Sequence, residues 1–387
     1  MRRLEAGLSY RGLAEQSGLA RATLVNLEQG LTKPSPLTMR RLASVKALRL
    51  TELTSPQTLI TTDTWFCEAY NPMALNHEMV RDLNGPGGQI DQSYFYLDPQ
   101  SACDWYALSN NEEYVIKFRS QVPLDKIAER IMKEARGGGI DVDGLGCGDG
   151  KTETQLVLRL ADLAPSTPPD LQLYLLDISH GLLSEAYRKA LNALGPKRVP
   201  VIAIHGDFNH IARNPMLYMR PETVRRLRLF LLMGYTMGNI RDEPCFFRNL
   251  SACAQPGDLV IIDFTLARGS QPEQIRQMDP AIKAKKPAAI YHDFLSGPLF
   301  RYIKGCKSIQ LRTELSTHCP VPGSYSSEAW AIVETDYEQA RQFLVWRVKR
   351  YEEAQLSKFL LSFGWATLQS WHYGSDKSAA VLIAQKQ

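Results

Sequence analysis

At 387 residues, with 44% hydrophobic side chains, the chain is long and apolar enough for two or three folded domains, which excludes global disorder. No apolar run reaches the length of a membrane span, and the Arg-rich start lacks the apolar segment of a signal peptide, so the expectation is a cytoplasmic protein with no membrane partner. The formal charge of +4 is unevenly placed: residues 1–50 carry nine Lys/Arg against three Glu, a net of +6, leaving −2 for everything that follows.

In chain order, the basic head comes first. Between Leu8 and Gly30, apolar residues at 13, 14, 24 and 27 have helical spacing, and Gly18 supplies a tight turn. This run resembles the cro/C1-type helix-turn-helix. Lys33-Pro-Ser-Pro36 followed by Leu37 to Leu48 looks like that family's proline-capped fourth helix. The resemblance implies that the helix from about Ala20 enters the major groove of duplex DNA, with Arg21, Thr23 and Asn26 facing base edges or phosphates. Two features depart from the family. Its first helix is longer than Met1 to Ala6, and Tyr10 stands where the family usually places a Gln that contacts the DNA backbone. A small helical bundle used for dimerisation is the other reading of the same pattern. Proteins with such heads commonly pair on palindromic sites, so a homodimer is a further expectation.

Thr51 to Asp91 is broken by Pro56, Pro72 and Gly85-Pro-Gly-Gly88 and reads as a connector with helical cap material. The segment from Gln92 through Tyr114 is dense in aromatics. Most such rings pack a core, but one or two are placed to line a pocket. A helix is expected over Leu124 to Ala135.

Residues 141–152 are the most informative stretch. Glycines at 144, 146, 148 and 150 separate an apolar strand from a helix-like run, Thr154 to Leu163. Glycine lets the backbone turn tightly and approach a ligand, and the helix N-terminus adds unpaired N–H groups. A phosphate-binding loop needs Gly, four spacers, then Gly-Lys-Ser/Thr, and Leu145 occupies the position of that first Gly. A dinucleotide fingerprint, Gly-x-Gly-x-x-Gly, does not match the spacing here, Gly-x-Gly-x-Gly. That tighter spacing after an acidic strand end looks like the first motif of S-adenosylmethionine-dependent methyltransferases. The bland alternative is an ordinary Gly-rich turn.

A second strand, Leu171 to Leu176, ends at Asp177, where a carboxylate can hold a ribose hydroxyl pair. A third, Val199 to Ile204, leads to Gly206-Asp207-Phe208. There an Asp can accept from an adenine amino group while the ring lies against the base. Strands over Leu227 to Met233 and Leu259 to Ile262 follow. The rhythm breaks from Thr265 to about Gln342, an inserted substrate-recognition subdomain. It resumes with a strand at Phe343 to Val348, a helix at Glu352 to Phe363, and strands at Ala366 to His372 and Ala379 to Ala384. The expected fold is α/β: a Rossmann-like class I methyltransferase, seven strands doubly wound with a reversed last strand, behind a small all-α head. The expected limits are 1–55 for the head, 56–91 for linker and cap, 92–387 for the catalytic domain and 265–342 for its insertion.

Over residues 92–387 the order of signals resembles the histidine-specific methyltransferase family. The resemblance rests on Phe95-Tyr96, Glu113-Tyr114, Leu145-Gly-Cys-Gly-Asp-Gly150, Asp177-Ile-Ser179, Gly206-Asp207-Phe208, Thr236-Met-Gly238-Asn239 and Phe363-Gly364. It implies that Gly146, Gly148, Gly150, Asp177, Asp207, Phe208 and Tyr96 hold S-adenosylmethionine. It also implies that Asn239 and Tyr114, with Thr236, receive the amine and carboxylate of an amino acid and carry the catalytic positioning. The family's imidazole-binding Glu and Ser align with Trp346 and Val348, neither of which can bond an imidazole in that way. Met278 or a neighbour takes the place of a second amine-site Tyr. The implied acceptor is therefore an amine of a bulkier or more apolar amino acid or amino-acid-like molecule, not free histidine. A transcriptional regulator that binds S-adenosylmethionine or a metabolite without turnover is the rival. Methylation of a DNA base lacks its Asp/Asn/Ser-Pro-Pro-Tyr/Phe motif. Seven scattered cysteines without a CxxC pair, and histidines without HExxH, imply reduced thiols and no metal.

Overall fold

A computed structural model gives the architecture for residues 8–28, 38, 41, 42, 45, 65, 66, 72–112, 121–136, 138–164, 170–213, 226–269, 271–336, 340–374 and 376–387. In the basic head, helix Tyr10–Ser17 is capped by the Ser9 hydroxyl, which accepts from the Gly12 N–H at 3.0 Å. It stops at Gly18, whose φ of 64° is the left-handed turn that glycine adopts without strain. Helix Arg21–Glu28 follows, and Leu13, Leu24 and Val45 form a small core between these segments. Arg21 is exposed, while Thr23 and Asn26 are half-buried. The expected first helix over Met1 to Ala6 and most of the fourth helix lie outside the described residues.

The rest of the chain is organised by parallel strands β3 (Ile140–Leu145), β4 (Leu171–Asp177), β5 (Val201–His205), β6 (Leu227–Leu232) and β7 (Leu259–Leu266). They lie side by side in the order β5-β4-β3-β6-β7. Of the two-residue strands, β1 (Trp65–Phe66) adds to the β5 edge, and β2 (Gly88–Gln89) pairs with Phe343 and Leu344. Beyond β7, the antiparallel β12 (Ala379–Lys386) pairs with β7 and with β11 (Trp365–Tyr373). This supplies the reversed closing strand that the sequence predicts. The fold is a doubly wound, mostly parallel sheet with a reversed last strand.

These strands read as almost continuous apolar runs because both faces are covered. Val142, Leu173, Leu175, Val201 and Leu229 pack on one face against the helices Leu124–Ala135, Lys151–Leu163 and His180–Leu194. Ile202, Ile204, Phe230, Leu232 and Val260 pack on the other against Glu243–Cys253 and Glu353–Ser362. Burying each such side chain contributes about 1.5–3 kcal/mol. The two acids inside β3 are neutralised across the sheet: Asp143 pairs with the buried Arg228, and Asp141 with Arg226 at 2.7 Å. Burial pushes the Asp141 carboxyl up, and Arg226 opposes that shift.

The insertion is a three-stranded antiparallel unit, β8 (Cys306–Ser316), β9 (Tyr325–Thr335) and β10 (Arg341–Tyr351), in the order β10-β9-β8. The strand expected at Phe343 to Val348 is the middle of β10. It belongs to this unit and not to the resumed core sheet, so the insertion extends past residue 342 to Tyr351. β10 joins the main sheet only where Arg350 and Tyr351 pair with Thr265 and Leu266 at the tip of β7. A third core, including Phe95, Phe294, Leu299 and Phe343, binds these strands to the helices Pro72–Leu83, Tyr94–Leu97 and His292–Tyr302.

Candidate functional site

An open cleft of about 1070 Å³ lies at the carboxyl ends of β3, β4, β5 and β6, where open α/β sheets bind ligands. The glycine loop forms its floor. Gly146 has φ 69°, and a Cβ there would stand 2.9 Å from Cε1 of Phe208. Only glycine lets that ring close over the loop. The Gly148 N–H donates to Asp177 Oδ2 at 2.8 Å, and the Ser179 N–H donates to Oδ1 at 2.8 Å. Burial nevertheless pushes the Asp177 carboxyl up to about 6, with those backbone bonds opposing it. Asp207 Oδ1 accepts from the Asn209 backbone and side chain at 2.8 and 2.9 Å, which fixes the carboxylate beside Phe208.

Of the residues predicted from sequence, Gly146, Gly148, Asp177, Asp207, Phe208, Tyr96, Thr236 and Asn239 meet in this cleft. Gly150 does not line it. A Cβ at Gly150 would come 2.8 Å from Cβ of Ala186, so this glycine serves the close approach of two helices. Trp346 and Val348 also stand behind the lining. The Trp346 ring packs on Tyr96 at 6.0 Å and on Phe294 at 5.3 Å, and Val348 lies against the Gly238 backbone. Tyr114 lies outside the described residues.

The far wall is the segment Gly234 to Ile240, including the short helix Thr236–Asn239. It is anchored almost residue by residue. Asp263 within β7 accepts from the Gly234 and Tyr235 N–H groups at 2.9 and 2.7 Å, which holds Tyr235 at φ 62°. The Thr236 hydroxyl donates to the Met233 carbonyl at 2.8 Å. The half-buried Asn239 amide makes no hydrogen bond among the described residues, although it faces the cleft. An amide so placed has both a donor and an acceptor to offer a ligand.

Sequence reasoning missed several lining residues. Glu153, buried in the first turn of Lys151–Leu163, fits because Gly144 has no Cβ, which would fall 2.7 Å from the Glu153 Cγ. Gln89 to Ser93 and Trp105 line the opposite side. Arg241 is exposed at the rim and is the single cation among the described lining residues. Against it stand the carboxylates of Asp91, Asp149, Glu153, Asp177 and Asp207. That balance disfavours a polyphosphate and favours a ligand carrying positive charge. An adenosyl sulfonium fits this donor set: a carboxylate for the ribose, an acid and a ring for the base, and a glycine floor without side chains. Among the described residues no group of three His, Cys, Asp or Glu could hold a metal ion, and no helix is long and apolar enough to cross a membrane.

Residues 75–276 match the profile of a family described as histidine-specific methyltransferase, SAM-dependent, and residues 1–53 match a helix-turn-helix family. Among solved structures, the chain is similar to an S-adenosylmethionine-dependent methyltransferase from Clostridium acetobutylicum ATCC 824, with 13% identity and TM-score 0.38 over 73% of this chain and 97% of that one. It is also similar to the 1,6-didemethyltoxoflavin-N1-methyltransferase of Burkholderia thailandensis, with 10% identity and TM-score 0.39 over 82% of this chain and 91% of that one. No curated protein matches.

Proposed function

The chain belongs to the histidine-specific, S-adenosylmethionine-dependent methyltransferase family, and from that premise we propose that it methylates an amine of an amino acid or amino-acid-like small molecule other than free histidine. The observation that carries this reading is Asn239, whose amide makes no hydrogen bond among the described residues while its neighbours are held in place. Its Oδ1 accepts an amine N–H and so turns the nitrogen lone pair toward the cofactor side of the cleft. Thr236, beside Gly146, completes that wall. Bound S-adenosylmethionine supplies an electrophilic methyl group on a sulfonium. The chain's part is to hold the amine neutral, close and in line, and such orientation is worth effective molarities of about 10⁵ M or more. Gly146, Gly148, Asp177, Asp207 and Phe208 are the proposed cofactor contacts, with Tyr96 at the edge shared with the acceptor. Trp346 acts on the acceptor through Tyr96, and this apolar backing replaces the imidazole-binding pair that free histidine needs.

Isotope transfer from labelled S-adenosylmethionine, scored over a panel of amino acids and small-molecule extracts, tests the proposal. Asn239→Ala should lower transfer to the best acceptor about 100-fold, the cost of losing a positioning contact, while S-adenosylhomocysteine binding stays within about twofold. Equal transfer by the variant would remove Asn239 from the site.

The helix-turn-helix match at residues 1–53 favours a second role, binding duplex DNA through Arg21, Thr23 and Asn26. In the regulator form of this reading, the cofactor or a metabolite biases DNA binding without turnover. Cofactor binding with no transfer to any acceptor would select it. Binding by the head should weaken steeply with salt; binding indifferent to salt would contradict the DNA assignment. We place the head in residues 1–55, connector and cap in 56–91 and the catalytic domain in 92–387. The family match begins at residue 75, inside the segment read as cap.

A further inference from the structure

Strand β10 of the insertion touches both walls of the acceptor end of the cleft. On one side Gly88 and Gln89 pair with Phe343 and Leu344, the Ile90 N–H donates to the Leu344 carbonyl at 3.3 Å, and Gln92 Nε2 donates to the Arg347 carbonyl at 3.2 Å. On the other side lies the segment that carries Asn239. There the Lys349 ammonium donates to the Ile240 carbonyl at 2.6 Å and pairs with Glu243 at 2.6 Å. The Tyr351 hydroxyl sits 3.0 Å from the Met237 carbonyl and 2.9 Å from Glu243 Oε1. Between them the backbones nearly touch: a Cβ on Gly238 would stand 3.1 Å from the Lys349 carbonyl oxygen.

The Lys349 and Glu243 side chains are 1% and 0% exposed, which makes this a fully desolvated ion pair. Such a pair adds little net stability over an apolar replacement, because the lost hydration offsets the attraction. Its value lies in geometry. A charged nitrogen and a phenol fix two carbonyls, at Met237 and Ile240, on either side of Asn239. Burial pushes the Lys349 ammonium down and the Tyr351 phenol up, and Glu243 supports the charged ammonium.

We infer that Lys349, Glu243 and Tyr351 are positioning residues for the acceptor: through them the inserted sheet sets where the Asn239 amide holds the amine. This rests on the reading of Asn239 as the acceptor contact. It makes the insertion a template whose strand β10 holds both walls in register, so that substrate range is tuned by residues that never touch substrate.

The test uses the full chain and three variants: Tyr351→Phe, Lys349→Met and Asn239→Ala. Tyr351→Phe removes one hydroxyl and keeps the ring packed on Phe264, 6.1 Å away. It should raise amide exchange in residues 236–242 about tenfold with other segments unchanged. With a mixture of free L-amino acids as the probe acceptor, it should lower kcat about tenfold while KM and S-adenosylhomocysteine affinity stay within about twofold, the pattern of lost orientation. A merely structural role would move melting temperature, cofactor affinity and exchange everywhere together. Lys349→Met should show the same local signature more strongly; if it fails to fold, Tyr351→Phe decides alone. Unchanged exchange at 236–242 in Tyr351→Phe would overturn the inference whatever the acceptor proves to be. Asn239→Ala separates the two claims. Full transfer by that variant removes the underlying reading, whereas its loss beside normal transfer and normal local exchange in Tyr351→Phe removes only the positioning role.

Discussion

The two ends of the cleft are built differently. The proposed cofactor end is made of backbone: the glycine loop turns at Gly146, its Gly148 N–H holds Asp177, and Phe208 closes over the floor. The acceptor end is made of long-range side-chain contacts, with Asp263, Lys349 and Tyr351 reaching the 234–240 segment from two other strands. A backbone-built end is set by a few residues adjacent in sequence and offers a substitution little room. An end assembled from distant side chains can change its substrate by altering supports while the cofactor half stays as it is.

Substitutions at one glycine of each end give the sharpest contrast. Gly146→Val forces a branched side chain into φ 69° and into the Phe208 ring. It should weaken S-adenosylhomocysteine binding by at least about 100-fold, roughly 2.7 kcal/mol, by calorimetry. Gly238→Ala presses a methyl on the Lys349 backbone. It should cost about tenfold in kcat/KM for the acceptor with cofactor affinity intact, the mark of a contact made only at the acceptor end. If both variants lose cofactor affinity equally, the two ends are one structure and the contrast fails.

The smallest effect comes from pH. Asp177, pushed up to about 6 by burial, has a folded value above its ordinary 3.8. Its neutral form is therefore favoured in the folded protein, a stabilisation present at low pH and lost as pH rises through about 6. The ionised form is the better acceptor for ribose hydroxyls. If only that form binds, S-adenosylhomocysteine affinity should fall about fourfold between pH 8 and pH 5.5. A flat profile would mean that Asp177 does not hold the ribose.

The same contrast explains what was legible in the sequence. Gly146, Gly148, Asp177 and Asp207 could be found because they stand at the carboxyl ends of three successive strands, and the strand rhythm places all four at one edge. The closing strands were legible for the same reason. Gly150 belongs to the same motif, yet its missing Cβ serves Ala186; sequence reports the need for glycine but not which neighbour requires it. Trp346 and Val348 were carried to the right strand but not to the lining. A β-bulge between Leu344 and Trp346 shifts the alternation there, so facing cannot be counted along β10 from sequence. Glu243 and Lys349 are more than a hundred positions apart, and nothing local to either marks them as partners. Glu153 and Arg241 carry no signal of their own in the sequence, because their place at the cleft depends on the fold around them.

The most direct measurement is isothermal titration of the full chain with S-adenosylhomocysteine, ATP and NAD in parallel. The acidic, phosphate-averse cleft at the tips of β3, β4 and β5 predicts saturable binding of S-adenosylhomocysteine, abolished by Gly146→Val, and no heat from either phosphorylated nucleotide. Saturation by ATP or NAD, with S-adenosylhomocysteine ignored, would contradict the account.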